Sequence, residues 1–386
     1  KKETSSITSL KDLLTSSVDY RLRSDTPVGS CLSGGLDSSS IVCLMSKKSE
    51  NTILSQHTFT ALSENKDLDE SDYATLVAAK TCSHNHTVMP SAVEFWEKLD
   101  DLINTHDGPI SSTSQFAQYK IFELATKTNI KVLLDGQGAD EILGGYDAYR
   151  GALLAESLRS FQIFDYVKHI INFKRTSNWS FFRLIGYSLV YSSAQLRRII
   201  GQFLKRDRID KSWLKPDFVK LHKRKLDNSG KSVLSFSLDQ VQKSNLPLLL
   251  HWEDRNSMRF SVEARVPFLD YRVVEYCLAL DSDKKIVGGR LKNILRSEMK
   301  NIIPEEIYLR KDKLNFSTAE EMWFVQKDPK HFRNQLVDAI EHLGEYVNDS
   351  LIRQFDEVIA KKRRYDGRYF RVIITSHWIK NWHVQV

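Results

Sequence analysis

Three glycines, an aspartate and five serines crowd the stretch "VGSCLSGGLDSSSIV", Val28 to Val42. An apolar approach, a turn of small residues and a helix start would aim backbone N–H groups and hydroxyls at one point. A helix dipole behind them makes such a point an anion site. The spacing is not GxxxxGK[ST], so this is no Walker-type loop, and Cys31 stands where a GxSxG elbow needs glycine. An anion here is expected to be held by donors rather than by a lysine. Asp37 is the informative residue. Read alone it is a helix cap, but a carboxylate beside a phosphate repels it unless a cation lies between, which implies Mg²⁺. Mg²⁺ commonly takes one or two carboxylates plus phosphate oxygens, so a second carboxylate is expected at another strand end. "LLDGQGADEILGGY", Leu133 to Tyr146, offers Asp135, Asp140 and Glu141 among four glycines. Asp140 is the candidate second metal ligand.

The elements around these turns alternate. Val28 to Leu32, Ile53 to Ala61, His86 to Met89 and Ile130 to Gly136 read as strands. Ser38 to Lys48, Asp69 to Thr81, Ala92 to Asn104 and Ser114 to Thr126 read as helices. Such alternation predicts an α/β fold, a parallel sheet with helices on both faces. Both glycine turns fall at strand ends, where ligands bind in such sheets. From about residue 152 the chain reads as mostly helical. Residues 1–150 are expected to form a nucleotide-binding α/β core, 151–240 a helical insertion, and 241–386 a helical part completing the site.

The totals narrow the classes. The 386 residues are 41% hydrophobic and 27% charged, which suits a soluble globular protein. No apolar run reaches the roughly 20 residues needed to span a bilayer, so no membrane partner is expected. Four scattered cysteines suit reduced thiols and a cytoplasmic location. The net charge of +7 would suit an anionic partner without choosing one. "KKRRYDGRYFR", Lys361 to Arg371, reads as a solvated helix face with packed aromatics rather than a nucleic-acid patch. His84 and His86 read as no metal site.

Five segments in register resemble a known family. "LSGGLDSS" (Leu32 to Ser39) is similar to the pyrophosphate loop of the ATP-pyrophosphatase-type, adenine-nucleotide α-hydrolase-like fold. "DGQGADEILGGY", "EDRNSMRFSVEARVPFLD" (Glu253 to Asp270), "GGRLKNILR" (Gly288 to Arg296) and "IIPEEIYLRKDKLNFS" (Ile302 to Ser317) resemble the synthetase domain of glutamine-hydrolysing asparagine synthetases. The resemblance implies a ligase that adenylates a carboxylic acid with ATP and Mg²⁺, then lets ammonia displace AMP. Aspartate is the first expectation for the acid. By the same resemblance Leu32 and Ala61 border adenine. Ser33, Gly34, Gly35 and Ser38 cradle phosphates, and Asp135 and Gly136 flank the nucleotide. Lys313 is expected to neutralise phosphoryl and acyl oxyanion charge. "HDGPISSTS" (His106 to Ser114) falls where the family contacts its acid. Glu263 and Arg265 read as a packing and ion-pair network. A homodimer is left open.

Two departures qualify the resemblance. The family's nucleophilic amino-terminal cysteine is not at position 1, which is Lys1. A glutaminase domain or subunit is therefore expected to supply ammonia from elsewhere. Gln137 stands where asparagine-forming members most often carry glutamate, a position tied to adenylation. Glutamine keeps the hydrogen-bonding shape but is no carboxylate base. Another acid, or an intramolecular amine as in β-lactam synthetases and lasso-peptide cyclases, is the alternative. A module that keeps the fold without catalysis is a further one.

Overall fold

Five short strands make one wholly parallel sheet: β1 (Val28–Cys31), β2 (His57–Ala61), β3 (His84–Val88), β4 (Val132–Leu134) and β5 (Glu263–Arg265). Their order is β3-β2-β1-β4-β5. The computed structural model describes residues 9–49, 56–177, 179–193, 211–221, 232–310 and 318–384. The chain steps outward from β1 through β2 to β3, then returns to lay β4 on the other side of β1. That reversal opens a crevice beyond the carboxyl ends of β1 and β4, where ligands bind in such sheets.

Burial along β4 shows the two covered faces. Val132 and Leu134 join a cluster with α2 (Leu36–Ser49) and α3 (Ser71–Thr81). Leu133 between them joins Phe59, Ile121 and Phe122 under α5 (Ser114–Lys127). A strand buried on both sides needs such an unbroken apolar run, because successive side chains point to opposite faces. The sequence-predicted parallel sheet is thus present. β3 begins two residues before the predicted start, and the predicted residues 53–55 of β2 lie outside the described residues.

β5 was not foreseen. Its three residues, Glu-Ala-Arg, carry no strand periodicity. Its pairing comes from the neighbour: Val132, Leu133 and Leu134 register with Glu263, Ala264 and Arg265. Arg265 then bonds Glu263 at 2.8 Å and the carbonyls of Arg21 and Arg23 at 2.6 and 2.9 Å. This tacks the sheet edge to the end of α1 (Leu10–Arg21). The expected ion-pair network is a backbone staple.

Two further cores flank the sheet. α4 (Ala92–His106) packs with the helices Pro329–His342, Ser350–Ile359 and Arg368–Trp382 through an aromatic cluster. Within the basic stretch 361–371, Tyr369 and Phe370 are buried while Arg363 and Arg368 pair with Glu357 and Asp366. α7 (Ala148–Arg159), α8 (Ile163–Thr176) and α9 (Phe181–Ser192) form the third core, with Val233 and Phe236. No helix among the described residues is long and apolar enough to cross a membrane.

Candidate active site

The loop after β1 is held by its own small residues. Ser33 Oγ lies 3.1 Å from Ser38 Oγ and accepts from Gly35 N at 3.3 Å; Ser38 Oγ also accepts from Ser33 N at 3.2 Å. Leu32 is pinned to β2 from both sides: its N–H donates to Phe59 O at 2.8 Å, and its carbonyl accepts Thr60 Oγ1 at 2.7 Å. Gly34 has φ +76°, and a Cβ there would fall 2.6 Å from the Tyr73 side chain. Glycine is what allows α3 to press on the turn from behind.

The turn after β4 touches this loop. A Cβ on Gly136 would meet Asp37 Cβ at 3.1 Å and Ser38 N at 3.2 Å. Helix α6 (Ala139–Leu143) follows at once and carries Asp140. Glu141, its neighbour, is buried instead, accepting from Tyr146 at 2.5 Å and Asn245 at 2.8 Å. The sequence left Asp140 and Glu141 adjacent and undistinguished in orientation; the helix turn separates them.

Asp37 and Asp140 do converge. Each places a carboxylate oxygen 2.5 Å from one atom, the Lys292 Nζ. The cation between the two carboxylates is therefore an ammonium from a residue the sequence analysis did not single out, 255 positions from Asp37. A lysine thus reaches this loop. Its spacing gave no sign of one because the lysine arrives from a distant segment, "GGRLKNILR". Burial opposes the charge on Lys292, but the Asp140 and Asp37 carboxylates outweigh it and hold its pKa above the usual lysine range. The same motif brings Arg296, which donates to the Tyr308 carbonyl at 2.9 Å; burial opposes its charge and Asp37 favours it. Arg310 reaches the loop as well, pairing with Glu70 at 2.5 Å and stacking 4.1 Å over Tyr73. A run of unremarkable cations in sequence becomes the positive wall of one crevice.

The crevice is a cavity of about 1350 Å³. It is lined by Leu32, Ser33, Gly35, Asp37, Ser38, Ala61, Asp135, Gly136, Gln137 and Asp140. Of the sequence-predicted site residues, Gly34 lies behind the wall and Lys313 lies outside the described residues. Ser114 and Gln115 line the cavity too. His106 does not: it is buried, its Nε2 lies 3.0 Å from Asn256 Oδ1, and burial pulls its pKa down to about 4. It is a core histidine.

Asp135 sits at the floor. Burial raises its pKa, while Cys31 and the backbone of Gly136 and Gln137 hydrogen-bond its charged form. The Asp37 charge raises it further; burial, then Asp135, push Glu253, from the helix Asn245–Arg259, well above the usual carboxylate range. Both Glu253 oxygens lack a hydrogen-bond partner among the described residues.

The residues present fit a nucleoside triphosphate with a hard cation. Loop donors and Lys292 suit phosphates, and the apolar rim at Leu32 and Ala61 suits a base. Two carboxylates from separate strand ends suit Mg²⁺, which completes its shell with water and phosphate oxygens rather than a protein cage. Among the described residues no cluster of three or more His, Cys, Asp or Glu is placed to hold a metal by itself.

Comparison with known proteins agrees with this geometry. The "Asparagine synthase" family model matches residues 9–383. Asparagine synthetase [glutamine-hydrolyzing] 1 of Bacillus subtilis is 28% identical over 382 residues, covering 96% of this chain and 58% of that protein. A putative asparagine synthetase 2 of Methanocaldococcus jannaschii is 39% identical over 136 residues, 35% of this chain and 26% of its own. "Amidase chyE" of Penicillium rubens is 25% identical, covering 76% of this chain and 50% of that protein. A solved U34-tRNA thiolase from Methanococcus maripaludis matches at a TM-score of 0.29 and 14% identity, covering 79% of this chain and 90% of its own. The chain thus spans 58% of the length of the Bacillus relative, and a family match over residues 9–383 includes both glycine turns and the lysine that joins them. This chain belongs to the asparagine synthase family.

Proposed function

We propose that the chain is the ATP-dependent, AMP-forming amide synthetase part of an asparagine synthetase-type enzyme, with aspartate as acid. The observation that carries this reading is the meeting of Asp37, Asp140 and Lys292 across the β1–β4 crevice. A substrate carboxylate oxygen attacks the α-phosphorus of ATP, the bond to the β-phosphate oxygen breaks, and pyrophosphate leaves. Ammonia then attacks the acyl carbon, the acyl–oxygen bond breaks, AMP departs with the electron pair, and the nitrogen gives up a proton.

The loop N–H groups and serine hydroxyls orient the phosphates, with Leu32 and Ala61 beside the base. Lys292 stabilises charge that grows on the leaving pyrophosphate. A pre-placed charge of this kind typically contributes ~3 kcal/mol, roughly two decades in rate. Mg²⁺, held by Asp37 and Asp140, would supply further neutralisation of the phosphates. Lys313 is assigned the acyl oxyanion by the resemblance of its motif. Ammonia comes from a glutaminase domain or subunit, in keeping with the names of the relatives.

A second reading keeps the chemistry and changes the acid or the amine. Gln137 lines the cavity where a carboxylate would be available in most asparagine-forming members, and one relative is called an amidase. Exchange of radiolabelled pyrophosphate into ATP, with Mg²⁺ and a panel of carboxylic acids, separates the readings. Exchange stimulated by aspartate is expected. Exchange with another acid alone transfers the assignment to the second reading, and none with any acid removes adenylation.

A further inference from the structure

Helix α8, "IFDYVKHIINFKRT", has more apolar surface than its packing uses. Only Ile170 and Phe173 turn inward, whereas Phe164 is 95% exposed and Val167 and Ile171 continue the stripe at i+3 and i+7. On α9, Leu184 and Ser188 turn inward and Phe182 is 89% exposed, with Phe181 and Ile185 also at the surface. Phe161, just before α8, is 87% exposed at φ +55°. A bulky residue in the left-handed region costs on the order of 1–2 kcal/mol, and no burial offsets it here. Eight of the twenty exposed large apolar side chains among the described residues fall between Phe161 and Ile185. Scattered apolar residues are ordinary on a surface; such a concentration marks a contact face.

The polar residues of the same hairpin say what covers it. Lys168, Lys174, Arg175 and Arg183 are exposed, against one exposed acid, Asp165. None of the four cations pairs with a carboxylate among the described residues. Arg183 lies 4.1 Å over the Trp179 ring, which steadies it without neutralising it. A second copy of the face would bring like charges together. An amphipathic helix with aromatic side chains outward and a basic rim matches a bilayer boundary carrying negative headgroups.

We propose that the α8–α9 hairpin docks the protein peripherally on an anionic lipid surface. The expectation of no membrane partner rested on the lack of a spanning segment, and docking of this kind lies in the interface and needs none. Lys174, Arg175, Trp179 and Arg183 also line the cavity, so the docked hairpin forms one wall of the candidate active site. The proposal stands independently of the reaction assigned above.

Co-sedimentation with vesicles tests it, using phosphatidylcholine alone and phosphatidylcholine mixed with phosphatidylglycerol. Binding to the mixed vesicles is expected, at least about tenfold tighter than to the neutral ones and weakened by salt. The double variant Phe164→Glu, Phe182→Glu should lose at least about tenfold, and Lys168→Glu should weaken binding without changing the melting temperature. Both sites are on the surface, and an unchanged circular dichroism melt establishes that the variants fold. No binding to mixed vesicles at low salt overturns the proposal, as does binding that survives the double variant. A dimer or a bound protein partner dispersed by the double variant, without vesicle binding, assigns the face to protein instead.

Discussion

Lys292 concentrates the chemistry of the site in one atom. Its Nζ is 2.5 Å from both Asp37 and Asp140, and its side chain is buried. On the proposed reading, a triphosphate entering the crevice meets an ammonium already placed, so little reorganisation is needed as charge develops. Lys292→Met should lower pyrophosphate exchange by about 100-fold, the loss of one such charge. It should also destabilise the fold in urea, because two carboxylates then face each other without a counter-ion. Wild-type exchange in that variant would remove Lys292 from phosphate handling. Gln137 shows the opposite pattern: the sequence departure is plain to see, and the structure gives the amide a place in the cavity wall without choosing an acid.

At the scale of elements, the glycine loop after β1 is shaped from outside as much as from within. α3 supplies Tyr73, which presses on Gly34 and carries Arg310 on its ring. Gly34→Ala would place a methyl group 2.6 Å from Tyr73 Cβ and 2.7 Å from Ala74 N, at a φ that disfavours any Cβ. A loss of about 2 kcal/mol or more is expected in urea unfolding, with weakened ATP binding as α3 and the loop move apart. Unchanged stability would mean that the contact is loose. β5 makes the companion point on the other edge. Three residues without strand character are extended because β4 offers them a ladder, and Arg265 ties their end to α1.

Across the whole molecule, stability should depend on pH through the buried acids that join the sheet to the helix Asn245–Arg259. Glu253 titrates near 4.5 when unfolded and well above that when folded, and Asp135 is raised as well. The folded state therefore holds protons that the unfolded state releases, so stability falls as pH rises through and beyond the ordinary carboxylate range. As pH rises above the ordinary carboxylate range, unfolding free energy should decline, and Glu253→Gln should flatten the slope. An unchanged slope would show that Glu253 is ionised in the folded protein.

The parallel sheet, the two glycine turns at strand ends and the pairing of Asp37 with Asp140 were legible in the residues alone. Those features are local: hydrophobic period, small residues at a turn and one charge beside a helix start all act within a few positions. Only the fold brings Lys292 between those carboxylates, sets Arg310 behind the loop, buries His106 in the core and adds β5 to the sheet. Each of these depends on a neighbour far away in the chain, and periodicity carries no record of which distant segment will arrive.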